Sequence, residues 1–278
     1  MTPRELIRRT AAAFREAGVP DPEVDASLLL SHLTGAAPLF LRTDDWTALP
    51  DDVLSAFDAL AKRRLTREPL QYILHEQSFL GRSFYVDEHV LIPRPETELL
   101  AERAIDALRE KGSGATALDL CCGSGCIAVS MALAVPGAVI HACDLSDGAL
   151  AITRRNADTL TASVTLHQGD LLGAVEGLAF DVIVSNPPYI PTQDCIALQQ
   201  EVLREPYMAL DGGADGLDFY RRIAREAPAF LRPGGTLLLE VGYDQASAVL
   251  RLLENAGFHE CRAHEDYQHI QRMIEARV

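Results

Sequence analysis

The residues best suited to chemistry are Asn186-Pro187-Pro188-Tyr189, within VIVSNPPYIP, residues 182–191. Strand-favouring residues run straight into a turn from which two prolines remove the N–H donors. Pro187 biases Asn186 toward an extended backbone, and Pro188 does the same to Pro187. The carbonyls of Asn186 and Pro187 are then left as acceptors beside the Asn186 side chain, itself an acceptor and a donor. A planar NH2 group is the complementary guest. One hydrogen goes to the Asn186 side-chain oxygen and the other to a neighbouring backbone carbonyl. Holding a weakly nucleophilic amide nitrogen in line with an electrophilic methyl is mainly positioning and electrostatics. The Tyr189 ring is expected to stack on the planar group.

A second constellation precedes this turn. LDLCCGSGCIA, residues 118–128, sets Gly123 and Gly125 between a strand and a helix. Such a loop lets a ligand approach bare backbone, with helix N–H groups behind it. Gly123-x-Gly125-x-x-Ala128 also satisfies the dinucleotide fingerprint, a weak signal by itself. Asp144 ends the next strand, 21 residues after Gly123, where a carboxylate can take both ribose hydroxyls. Asp170 ends the third strand and is placed to accept from an adenine amino group. Three features at the carboxyl ends of successive strands converge on one crevice. The ligand then carries adenine and ribose, as NAD and S-adenosylmethionine both do. The Asn-Pro-Pro-Tyr turn on the same rim favours S-adenosylmethionine, because nothing in it serves hydride transfer.

The elements that must position these residues are legible in the pattern. Residues 3–17 and 22–33 read as helices stopped by Gly18 and Gly35, with Asp21 as N-cap of the second, and 51–67 as a third. SFLGRSFYV, residues 78–86, reads as a hairpin turning at Gly81-Arg82. A new helix starts near Glu96. From Ala115 strands alternate with helices: strands at 115–120, 138–145, 163–170, 180–185 and 236–242, and helices at 126–134, 147–158, 217–230 and 244–256. Two closing strands, near 259–265 and 269–276, are joined too tightly to be parallel neighbours. This predicts a helical domain over 1–75, a hairpin and linker over 76–95, and an α/β domain with a doubly wound sheet over 96–278.

Bulk composition narrows the function. The chain has 278 residues, 48% of them hydrophobic, and a net charge of −15. Residues 76–278 hold 16 basic and 29 acidic side chains, a balance that disfavours a stable nucleic-acid partner. Lys62, Arg63, Arg64 and Arg67 form the one basic cluster of the helical domain, expected as a solvated helix end or a dock for an acidic partner. Six cysteines, at 121, 122, 126, 143, 195 and 261, lack metal-ligand spacing and read as buried thiols with no metal. The N-terminus lacks a signal-peptide apolar run, and no stretch is long enough to span a membrane. A cytoplasmic monomer is expected.

VLIPRPETE, LDLCCGSGCIA and SNPPYIP, with REPLQYIL before and EPYMALDGGADGLDFYRRI after, resemble the protein-(glutamine-N5) methyltransferases of peptide chain release factors, the HemK/PrmC family. The resemblance covers nearly the whole chain and is weakest over 1–60. It implies a class I S-adenosylmethionine-dependent methyltransferase fold of seven strands, the last antiparallel, preceded by a helical substrate-recognition domain. It implies cofactor binding by Cys121, Cys122, Gly123, Ser124, Gly125, Asp144, Asp170, Leu171 and Asn186. It implies that Asn186, Pro187, Pro188 and Tyr189 hold the glutamine of a Gly-Gly-Gln loop, with Asn186, Pro187 and Tyr189 carrying catalysis, and that Arg94 to Glu98 lie near the cofactor. Two positions depart from the family. Cys121 replaces the usual first glycine, and Leu171 stands where some members carry an aromatic.

Three other readings remain open on the sequence. They are an adenine-N6 methyltransferase of DNA or RNA, a nucleotide-binding dehydrogenase, and a non-catalytic adaptor docking on translation factors.

Overall fold

The computed structural model describes residues 1–43, 46 and 48–278. The chain divides into two compact units, one of Met1–His75 with Gln199–Arg204 and one of Glu76–Leu198 with Glu205–Val278.

The first unit contains helices α1 (Pro3–Glu16), α2 (Pro22–Thr34), α3 (Asp51–Leu65) and the short α4 (Leu70–Leu74). Thr2 and Glu5 form a reciprocal capping box at the start of α1. Asp21 flanks α2, but its side chain makes no capping hydrogen bond; Pro22 at the first helical position sets the start instead. Leu6, Phe14, Leu29, Leu30, Phe57 and Ile73 are among the residues that fill the core. The expected basic patch is neutralised from within. Arg64 is buried, donating from Nε to Asp25 at 2.7 Å and from Nη2 to Glu201 at 2.8 Å. Arg67 also pairs with Glu201, Arg63 with Glu68, and Lys62 with Asp58. Burial opposes ionisation of Glu201, yet the hydrogen bonds from Arg67 and Arg64 hold its carboxyl down at about 2.

The second unit opens with a hairpin, β1 (Gln77–Phe79) and β2 (Arg82–Phe84), followed by α5 (Pro95–Lys111). The alternating segment is β3 (Thr116–Leu120), α6 (Cys126–Ala134), β4 (Val139–Asp144), α7 (Asp147–Thr159), β5 (Val164–Gln168), β6 (Phe180–Ser185), α8 (Asp218–Glu226), β7 (Leu231–Glu240), α9 (Ala246–Asn255), β8 (His259–Glu265) and β9 (Gln271–Arg277). Helix α8 is shorter than its sequence pattern because Pro228 turns the chain into a 3-10 segment.

The seven-stranded sheet has the order β5-β4-β3-β6-β7-β9-β8. β3 through β7 are parallel, and β9 runs antiparallel to both β7 and β8. Both faces are covered, so the central strands are mostly apolar, with Asp119 of β3 and Ser185 of β6 buried among them. Ala117, Val182, Val184 and Leu238 face a core that includes α5 and α6 residues. Leu118, Leu120, Ile183, Leu237 and Leu239 face the other, with Tyr220, Ile223, Val249 and Leu253. The period-two alternation of a strand makes that division. The topological switch lies between β3 and β6, and the crevice outside their carboxyl ends is where such sheets bind ligands. Among the described residues, no helix is long and apolar enough to cross a membrane.

Candidate active site

A cavity of about 370 Å³ opens at that switch point, entirely within the second unit. The loop after β3 forms one wall through Cys121, Cys122, Gly123 and Ser124. Gly123 has φ +53°, and a Cβ placed on it would meet nothing within 4 Å. Its backbone is therefore open to a ligand. The loop is braced from behind by α7. Thr153 Oγ1 donates to the Gly123 carbonyl at 2.9 Å, and Asn156 Nδ2 donates to the Ser124 carbonyl at 2.9 Å. Cys121 adopts φ +63°, a left-handed backbone held without glycine. Gly125 is not on the cavity lining. It precedes α6 at φ +75°, and a Cβ there would lie 2.5 Å from Thr153 Cγ2. Close packing of helix against loop, rather than ligand approach, requires this glycine.

Asp144 lines the cavity at the end of β4. Its Oδ2 accepts from the Gly123 N–H and its Oδ1 from the Ser146 N–H, both at 2.9 Å. Burial pushes its carboxyl up, and the two N–H groups oppose that shift. Each oxygen retains a lone-pair direction for a hydroxyl. Asp170 and Leu171 line the cavity after β5. Arg222 of α8 holds Asp170 Oδ2 at 2.8 Å, so one oxygen of the expected adenine acceptor is already paired. Leu171 and Leu145 supply apolar lining where an aromatic was absent.

Asn186 and Pro188 line the cavity after β6, whereas Pro187 and Tyr189 do not. The ring expected to stack on the substrate thus lies outside that lining. The ring packs against the core that contains Tyr220 and Leu239, and burial raises its phenol pKa. The Tyr189 carbonyl is tied back by Gln245 Nε2 at 2.9 Å. No hydrogen bond among the described residues ends on the carbonyls of Asn186 or Pro187. Asn186 Nδ2 donates to Thr97 Oγ1 at 3.3 Å, which turns its Oδ1 away from Thr97.

Several contributors escaped the sequence reading. Thr97 and Arg94, in sequence no more than part of the 94–98 stretch, both line the cavity. Pro206, Tyr207, Met208 and Ala209 form another part of the wall. Glu205, just before them, accepts from Arg94 Nη2 at 2.6 Å and from the Ile92 N–H at 3.0 Å. Asp119 is buried beneath the loop, where Oδ2 accepts from the Ala128 N–H at 2.9 Å. Burial pushes its carboxyl up to about 7. The EPYM stretch and the acid of LDL were the available signals. The cysteines carry no disulfide: Cys122, Cys126, Cys143 and Cys195 are buried and Cys121 and Cys261 half-buried.

An open glycine backbone, an adjacent strand-end carboxylate and two leucine faces fit a nucleoside. The free acceptors at Asn186 fit an NH2 group beside it.

Family models match at two places, "PrmC N-terminal domain" over residues 5–74 and "Methyltransferase small domain" over residues 96–215. The chain is 43% identical to the release factor glutamine methyltransferase of Geobacter sulfurreducens, over 100% of this chain and 97% of the relative. It is 41% identical to that of Chlorobaculum tepidum, over 96% of this chain and 94% of the relative. Among solved structures, a methyltransferase from Pyrococcus furiosus aligns with a TM-score of 0.55 at 20% identity, over 72% of this chain and 90% of the other. That last likeness is one of fold.

Proposed function

The chain belongs to the release factor glutamine methyltransferases, and from that premise we propose that its cavity methylates a glutamine side-chain amide which Asn186 holds. S-Adenosylmethionine is the methyl donor of this family. When bound, it supplies an electrophilic methyl carbon on a sulfonium, whose C–S electron pair stays with sulfur.

The Asp144 carboxylate holds the ribose end, and Gly123, whose N–H serves Asp144 and whose carbonyl accepts from Thr153, leaves room for it. Leu145 and Leu171 offer apolar surface to the adenine, and the free oxygen of Asp170 accepts from its amino group. Cys121, Cys122 and Ser124 contribute lining. Gly125 acts at one remove, by seating α6.

Asn186 Oδ1 accepts one hydrogen of the substrate NH2, and the Asn186 or Pro187 carbonyl accepts the other. The two bonds fix the nitrogen's direction and raise its electron density. Pro187 thus serves through its backbone, and Pro188 as a wall. Tyr189 serves through its place in the core, which anchors the turn. Asn186 cannot take up a proton, so the nitrogen's surplus proton leaves to water after the N–C bond forms.

The observation that carries this reading is the unpartnered acceptor set at Asn186, beside a nucleoside-shaped cavity. The substrate glutamine is that of the Gly-Gly-Gln loop of release factors, and the enzyme acts as a cytoplasmic monomer. The test is a digest of release factor after incubation with S-adenosylmethionine. Mass spectrometry should find one added methyl on the glutamine of that loop. Methyl on another residue, or on nucleic acid alone, would overturn the assignment.

A further inference from the structure

Glu240 ends β7 and is 3% exposed, a carboxylate placed where charge is costly. It has no direct place in the cavity lining. Its Oε2 accepts from Thr97 Oγ1 at 2.7 Å, and Thr97 Oγ1 in turn accepts from Asn186 Nδ2 at 3.3 Å. A hydroxyl has one proton to give. An ionised carboxylate can only accept, so it claims that proton and leaves the hydroxyl's lone pairs facing Asn186. Asn186 must then present its NH2 to Thr97 and its oxygen to the substrate.

We propose that Glu240 and Thr97 are positioning residues that set which end of the Asn186 amide meets the substrate. The inference rests on Asn186 Oδ1 being the acceptor for the glutamine NH2.

The polarity of the chain reverses when the carboxyl carries a proton. Protonated Glu240 can donate to Thr97, Thr97 can donate to Asn186 Oδ1, and the Asn186 NH2 then faces the substrate NH2. Two donors cannot pair, so that form does not bind the nucleophile productively. Glu240 is faced by Arg94 and Glu96 at the start of α5, Arg272 of β9, Tyr189, Tyr220 of α8 and Cys126 of α6. Burial, reinforced by Glu96 and opposed by Thr97, Arg272 and Arg94, pushes its carboxyl up to about 7. The active form is the ionised one, so kcat should rise with pH through that value.

The experiment is kcat against pH for wild type and for Glu240→Gln, Thr97→Val, Thr97→Ser and Asn186→Ala, each with a measured melting temperature. Wild type should show the rise near pH 7 and Glu240→Gln should lack it. Thr97→Val should lose roughly tenfold or more in kcat, the scale of one lost orienting hydrogen bond, and Thr97→Ser should recover most of that loss. An unchanged inflection in Glu240→Gln overturns the proposal, as does wild-type kcat in Thr97→Val. If Thr97→Val fails to fold, the Glu240→Gln profile decides. An impaired Asn186→Ala beside unaffected Glu240 and Thr97 variants overturns only this relay. A fully active Asn186→Ala overturns the acceptor reading beneath it.

Discussion

Glu205 and Arg94 form an ion pair of 2.6 Å that joins two parts of the cavity wall. The Glu205 carboxylate also holds the Ile92 N–H, so one buried side chain ties the stretch before α5 to the 206–209 turn. Truncating it leaves a buried N–H and a guanidinium without partners. Glu205→Ala should weaken binding of S-adenosylhomocysteine by roughly tenfold or more, about 1.4 kcal/mol, and Glu205→Gln should do so by less. Titration calorimetry reads this directly. Unchanged affinity in the alanine variant would show that the wall does not need the tie.

Asn186→Ala removes the acceptor for the substrate nitrogen while leaving the Gly123 and Asp144 walls intact. The cost should fall on turnover, at about 2–4 kcal/mol by analogy with a lost oxyanion donor. Steady-state kinetics should show kcat falling with cofactor affinity nearly preserved. A loss confined to KM would assign Asn186 to ground-state binding alone.

The two loop glycines should behave oppositely. Gly125→Ala places a methyl 2.5 Å from Thr153 Cγ2 at a left-handed position, which should cost roughly 1–3 kcal/mol of stability from overpacking. Gly123→Ala meets no atom and bears only the strain of its left-handed backbone, about 1 kcal/mol, so it should melt above Gly125→Ala while impairing cofactor binding. Thermal melts with and without S-adenosylhomocysteine separate the two effects. Equal destabilisation by both would contradict the division of labour drawn between them.

Glu201 predicts an acid-sensitive first unit. Its folded pKa of about 2 lies below the unfolded value of 4.5. The unfolded chain therefore binds the proton first, and stability rises with pH across that window. The contribution is complete above pH 4.5 and disappears as pH falls toward 2. Asp25, whose carboxyl burial pushes up despite Arg64, acts in the opposite sense. The useful measurement is thus the difference between wild type and Glu201→Gln in acid unfolding. Wild type should lose its advantage, on the order of a few kcal/mol, across that range. A constant difference would mean that the pair with Arg64 and Arg67 contributes nothing through its charge.

Much of this was written locally in the chain. The strands around Leu118 and Ile183 are mostly apolar because both faces are covered, and their length and flanking turns identify them. Gly123, Asp144 and Asp170 each lie at or just beyond the end of a strand, so a parallel sheet brings them to one rim without further information. Asn186-Pro187-Pro188 carries its own stiffness, since proline restricts its own backbone and that of the residue before it. Period, turn chemistry and covalent restriction act over a few residues, and all of them can be read before the chain folds.

Tertiary structure decided which groups face one another. Only folding packs Thr153 against Gly125, and only folding lays the Tyr189 ring against the core. The Arg64 and Arg67 charges looked exposed until Asp25 and Glu201 met them. Thr97 lies 89 residues from Asn186 and 143 from Glu240, distances over which local propensity carries no signal. The direction of one amide depends on where a buried carboxylate ends up, and only the closed packing of α5 against the sheet determines that.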